Sequence, residues 1–270
     1  MPLFPLRALS FIVALVVLGA CADTQPKYVE KPVGILYNDA MDKLAEGEYF
    51  EAARAFDEVE RQHPYSSWAI KAKLMSSFTY QQASRYDEAI LAARRFIELH
   101  PGNADIAYAY YLLAIAYYEQ IQDVGRDQKV TQLALGALDE VVRRFPNSEY
   151  ARDARLKVDL TRDHLAGKEM AVGRYYLKRG SFVAAINRFR AVIERFQSTT
   201  HVPEALHRLT EAYLALGVAE EAQTAAAVLG YNFPNSEWYE DAYGLLRGRN
   251  LEPEENKGSW ISRIWNRRVF

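Results

Sequence analysis

The chain carries one cysteine, Cys21, so neither a disulfide nor a thiolate metal site can form within it. Its charge is nearly balanced, with a formal net charge of −2, and no basic stretch of the kind that binds nucleic acid stands out. The patterns HExxH, GxGxxG, GxSxG and the phosphate-binding glycine loop are all missing. The five histidines do not form a ligand set. His63 and His100 each precede a repeated proline, His201 and His207 lie six apart and off a common helix face, and His164 stands alone. Acidic residues are numerous but spread, as on solvated helix faces. These absences remove metal, nucleotide and nucleophilic catalysis from the reading and imply no cofactor. No apolar run reaches the roughly 20 residues that span a bilayer.

One short apolar run does occur, at the start. Arg7 is followed by a mostly apolar stretch from Ala8 to Val17, then Leu18-Gly19-Ala20-Cys21. A charged start, an apolar centre and a small-residue exit make a secretory signal. A cysteine directly after Leu-Gly-Ala resembles the lipobox of bacterial lipoproteins. That resemblance implies cleavage between Ala20 and Cys21, a diacylglycerol on the Cys21 thiol, and an acyl group on the freed amine. An ordinary signal with a chance cysteine is the alternative; an uncleaved anchor is disfavoured by the shortness of the run. Three acyl chains would hold the protein to a membrane durably, where one binds only marginally. Ala22, rather than aspartate, follows the cysteine, which under the common sorting rule favours the outer membrane. Residues 21–32 hold two prolines and little apolar content and read as a tether. Removing the first 20 residues leaves a periplasmic body of 250, with 32 basic against 35 acidic residues.

That body repeats. Pro64, Pro101, Pro146 and Pro234 are each followed eight residues later by an alanine: Ala72, Ala109, Ala154 and Ala242. Gln197 with Ala205 gives a fifth register without the proline. Twelve residues before these anchors lie Ala52, Ala89, Ala134, Ala185 and Ala222; eight before lie Phe56, Leu138 and Phe189; fifteen before lie Tyr49, Tyr86 and Phe182. Such periodicity predicts stacked helical hairpins. Alanines let paired helices approach, while aromatic and leucine positions fill the space between pairs. Gly47, Gly180 and Gly217 fall at the turns. The prolines end second helices, and Asn147-Ser148 and Asn235-Ser236 offer caps. The pattern resembles the tetratricopeptide repeat, without its first-helix tryptophan and with a unit of 37 residues rather than 34. The expected fold is therefore all-α, a right-handed superhelix of about five hairpins, preceded by a signal peptide and followed by a flexible tail. Two anchor spacings are longer, 45 and 51. The first excess falls around Gln122–Val130. The second falls in a proline-free stretch from Asn147 to Arg179, where a long helix with a bend near Gly167 is expected. The organisation expected is front repeats over 33–146, back repeats over 147–247, and a linker and tail over 248–270.

First helices of such pairs line a concave face. Tyr108, Tyr111, Ile115 and Tyr118 share one stripe, and Tyr37, Met41, Leu74 and Phe78 are the corresponding positions in earlier repeats. They would form an aromatic trough for an extended peptide, or else pack helices together. In the tail, Trp260, Ile261, Ile264 and Trp265 share a helical face. Residues 256–270 carry Lys257, Arg263, Arg267 and Arg268 with no acid. A membrane surface, a partner groove, or the open end of the last repeat would each suit this segment.

The lipobox and repeats together with HPYSSWAIKAKL at 63–74, ADIAYAYYLLAIAYY at 104–118, Arg126-Asp127-Gln128 and LAGKEMAVGRYYLKRGSFVAAINR at 165–188 resemble the BamD family of outer membrane protein assembly factors. The likeness runs to about Tyr243. Gly173 stands where an alanine is usual, and the Trp-rich tail is outside the pattern. The resemblance implies a non-catalytic scaffold, lipid-anchored on the periplasmic face of the outer membrane. Its front repeats would receive the aromatic-ended targeting segment of unfolded β-barrel proteins. Its back repeats would dock the periplasmic domains of the membrane-embedded assembly barrel through Arg188 and its neighbours, with Arg126, Asp127 and Gln128 of the third-repeat insertion as further docking residues, and further assembly lipoproteins could join. The rival is a repeat lipoprotein that scaffolds envelope-division or peptidoglycan machinery.

Overall fold

The computed structural model describes residues 30–266, so the signal peptide, the Ala20–Cys21 junction and most of the tether lie outside the described residues. Twelve helices and no strand occur among the described residues. In order they are α1 Val33–Ala45, α2 Tyr49–Gln62, α3 Ser67–Gln82, α4 Tyr86–Leu99, α5 Ile106–Tyr118, α6 Lys129–Arg144, α7 Glu149–Lys178, α8 Phe182–Arg195, α9 Val202–Leu216, α10 Ala219–Asn232, α11 Glu237–Arg247 and α12 Trp260–Asn266. Each of the first ten packs mainly on its sequence neighbours, and α11 leans chiefly on α9, which is the all-α hairpin stack that the columns implied.

The local reasons are those of the repeat. Gly47, Gly180 and Gly217 hold φ of +79°, +72° and +77°, values that glycine adopts without a Cβ penalty. Ser66, Ser148 and Ser236 accept the amides of Trp68, Ala151 and Trp238 and so cap α3, α7 and α11. All ten alanines of the two columns are buried, as are Phe56, Leu138 and Phe189. α7 runs unbroken for 30 residues, about 45 Å. Ala154 and Val158 in its first half pack in the third repeat's core, while Leu165 and Met170 in its second half pack in the back core. The 146/147 division therefore falls at the start of a helix shared by both halves. Three small apolar clusters serve the front repeats; one large cluster serves the back and takes in Ile261 of α12.

Where a flexible tail was expected, the described part is a strap laid on the back repeats. Leu246 accepts the amide of Leu251, Gln223 donates to the Glu252 carbonyl at 2.8 Å, and the Asn256 amide donates to Thr224 Oγ1 at 3.1 Å. Ser259 donates to Glu221 and the Trp260 indole to Tyr213 Oη at 2.9 Å. Buried Ile261 and half-buried Trp260, Ile264 and Trp265 pack α12 against α10 and α8. The apolar side of α12 thereby joins the large back cluster instead of staying in solvent.

Candidate partner-binding surfaces

The aromatic stripe of α5 faces the first half of α7. The Tyr108 and Tyr111 rings each lie 5.2 Å from the Tyr150 ring. Tyr111 Oη donates to Asp153 Oδ2 at 2.7 Å, and Lys157 Nζ bonds the other oxygen of that carboxylate at 2.9 Å. The same ammonium stands 5.5 Å from the Tyr118 ring centre. Ile115 is buried beneath, and Leu74 is buried one repeat earlier beside half-buried Phe78 and Tyr108. Leu74 and Ile115 are thus the floor of this seam, and the tyrosines its half-exposed wall. Tyr37 stands apart, 5.5 Å from the Phe56 ring and 4.8 Å from that of Trp68. Burial pushes the Tyr108 phenol up to about 12, and burial with the Asp153 bond raises Tyr111 as well. Both hydroxyls keep their protons at neutral pH, and that of Tyr111 donates to Asp153.

The insertion between α5 and α6 is bound to α7. Lys168 Nζ donates to the Gly125 and Arg126 carbonyls at 3.2 and 3.4 Å. A Cβ on Gly167, the residue singled out for a bend, would lie 3.2 Å from His201 Nε2 and 3.6 Å from Val124 Cγ1. Gln128 is buried, its amide donating to the Asp123 and Arg126 carbonyls and its oxygen accepting from Thr131. Asp127 accepts the Lys129 amide at the start of α6. Of the three, only Arg126 and Asp127 are exposed, and Gln128 shapes the loop from inside. Two clefts flank the loop. One of 390 Å³ reaches Tyr118, Leu160 and His164; one of 540 Å³ reaches Tyr86, Asp127 and Thr131. Arg188 lines neither cleft and donates to Glu169 at 3.2 Å, a carboxylate that Arg195 also reaches at 3.3 Å.

Nothing in the sequence singles out a further cleft of 540 Å³ among α2, α3 and α4. There Glu60 takes the buried ammonium of Lys73 at 2.8 Å and the Arg95 guanidinium at 3.0 Å. Tyr150, Asp153 and Lys157 also escape notice in the sequence, although their 3, 4 spacing after Pro146 is that of one helix face. Among the described residues no group of three or more histidine, cysteine or acidic side chains is arranged to hold a metal, and no helix is long and apolar enough to cross a membrane.

Stacked hairpins with an aromatic seam and charged clefts along their surface define a tetratricopeptide-type scaffold. A family model described as an outer membrane lipoprotein, YfiO, matches residues 29–229. The outer membrane protein assembly factor BamD of Caulobacter vibrioides is 52% identical over 253 residues, covering 92% of this chain and 83% of that protein. Its counterpart in Rickettsia prowazekii is 44% identical over 247 residues, covering 92% and 98%. The chain belongs to the BamD family of outer membrane protein assembly factors.

Proposed function

We propose that this chain is a lipid-anchored scaffold of the outer-membrane β-barrel assembly complex, held to the periplasmic face through Cys21. Its work is positioning rather than catalysis. A tethered surface keeps an unfolded barrel protein near the insertion machinery, so weak contacts act at high effective concentration. The front repeats receive the substrate, and the back repeats around Arg188, together with the Arg126–Asp127 loop of the third repeat that leans on α7, dock the periplasmic domains of the membrane-embedded barrel. The observation that carries the substrate role is the Tyr108–Tyr150–Tyr111 group. Three half-exposed rings stand side by side over an apolar floor, a surface that takes aromatic side chains of an extended segment without demanding one sequence.

The test is a photo-crosslinking amino acid placed at Tyr108 and Tyr111 in cells, with products identified by mass spectrometry. Adducts to unfolded outer-membrane barrel proteins are expected at both positions. Adducts confined to other repeats, or to division or peptidoglycan proteins, would return the stripe to helix packing and the function to the rival class.

A further inference from the structure

The tether does not simply run into α1. The Lys31 amide donates to Gln62 Oε1 at 2.9 Å, and the His63 ring nitrogen Nε2 donates to the Lys31 carbonyl at 2.7 Å. Both backbone groups of one residue are thus taken by the corner between α2 and α3, some thirty residues further along the chain. This two-point clamp fixes where the tether leaves the body. From Cys21 to Lys31 is ten residues, which span at most about 35 Å whatever their conformation. Given a lipid on Cys21, the corner stands within that distance of the bilayer.

The corner is built for such a neighbour. Tyr65 is fully exposed, at 101%, and Trp68 is 40% exposed. Lys71 Nζ lies 5.9 Å from the Trp68 ring centre. Residues 63–74 contain no acid. Tyrosine and tryptophan, with an apolar body and a polar edge, partition to the headgroup level of membranes, and lysine is drawn to anionic headgroups there. The other most exposed aromatic, Tyr231 at 87%, sits at the far end of the array before α11, away from the clamp.

We infer that the α2–α3 corner is a second membrane contact: Tyr65 and Trp68 enter the headgroup region of the bilayer that holds the lipid, with Lys71 at phosphate level. This rests on the lipid-anchor reading above. The clamp makes lipid and corner one attachment, so the first repeat has a fixed orientation to the membrane rather than swinging on its tether.

The chain's single cysteine simplifies the test, because lipidation consumes Cys21. Tyr65→Cys then supplies a unique thiol for an environment-sensitive fluorophore, and Tyr65 has no packing to lose; Tyr231→Cys serves as the distal control. The full lipidated protein is placed in phosphatidylethanolamine–phosphatidylglycerol vesicles containing lipids with a headgroup nitroxide. The probe at 65 is expected to shift blue and lose more than half of its emission, while the probe at 231 stays solvent-like. Gln62→Ala with His63→Ala should at least halve the quenching at 65 while the protein still floats with the vesicles. Equal, solvent-like emission at both positions in protein that floats would overturn the corner contact, assign the aromatics to a protein partner and leave the anchor standing. Protein that fails to float would remove the anchor and the corner contact together.

Discussion

At the scale of single residues, Gly173 shows how one missing Cβ sets a helix spacing. A Cβ on Gly173 of α7 would lie 2.4 Å from Cε1 and 2.8 Å from Cζ of Phe189, which α8 holds fully buried. The ring occupies the space that the alanine usual at this place in the resemblance would need. Gly173→Ala would gain about 1 kcal/mol of helix propensity but would overpack a rigid ring, which costs about 1–3 kcal/mol. A net loss of about 1 kcal/mol is expected in equilibrium urea unfolding. In a Phe189→Leu background the same substitution should be neutral or stabilising, because the leucine can yield. The double-mutant cycle reads this coupling. Additive effects of the two changes would mean that the contact does not set the spacing.

Between elements, the docking of α11 on α9 turns on a buried imidazole. His207 is 5% exposed, its ring 5.4 Å from that of Trp238, and its Nδ1 is buried without a hydrogen-bond partner. Burial first, and then the charge of Arg208, lower its pKa below the ordinary 6.5, against the opposing pull of Glu211, Asp241 and Glu204. The folded state therefore needs the neutral ring. The stability it allows is whole above pH 6.5 and declines as pH falls through that value and below, because the unfolded chain takes up the proton first. Hydrogen exchange of α11 amides should accelerate, relative to those of α4, between pH 7.5 and 5.5, and His207→Phe should remove the difference. A wild-type pH slope that survives His207→Phe would place the titrating group elsewhere. These elements differ in how far the sequence discloses them. The alanine columns are legible because each recurs at the same offset from all five anchors, the aromatic and leucine columns because each recurs at three of them, and the length of α7 follows from a spacing excess without a proline. The second hairpin's turn is not legible: Ser84 stands at the place of Gly47, Gly180 and Gly217 and takes the left-handed region at φ +57° with no glycine to signal it. The α5–α7 seam and the Glu169–Arg188–Arg195 group join residues across loops. Helical periodicity says that a face is apolar or charged, and not which helix it meets.

Over the whole molecule, the two ends of the array are closed in different ways. In a repeat stack each unit leans on its neighbours, so the terminal faces are where fraying begins. The front end is closed by the Lys31 clamp and opens onto three small separate clusters. Near the back end the array is strapped by α12, which packs on α10 and α8 and whose Ile261 is wholly buried in the same cluster as Leu206, Leu229 and Leu246. Arg190 stacks 4.7 Å from the Trp260 ring, tying the strap to α8 as well as to α9 and α10. One side chain removed at this end should therefore be felt across the back core and not beyond α7. Ile261→Ala is expected to cost about 2–4 kcal/mol. Hydrogen exchange followed by mass spectrometry should show α8 to α11 losing protection together, with α1 to α4 unchanged. Uniform loss along the whole chain would mean that the array unfolds as one unit. Loss confined to residues 251–266 would mean that the strap rests on a core already complete without it. The first pattern alone fits a molecule whose back half is held together by one large cluster while its front repeats rest on three separate small ones.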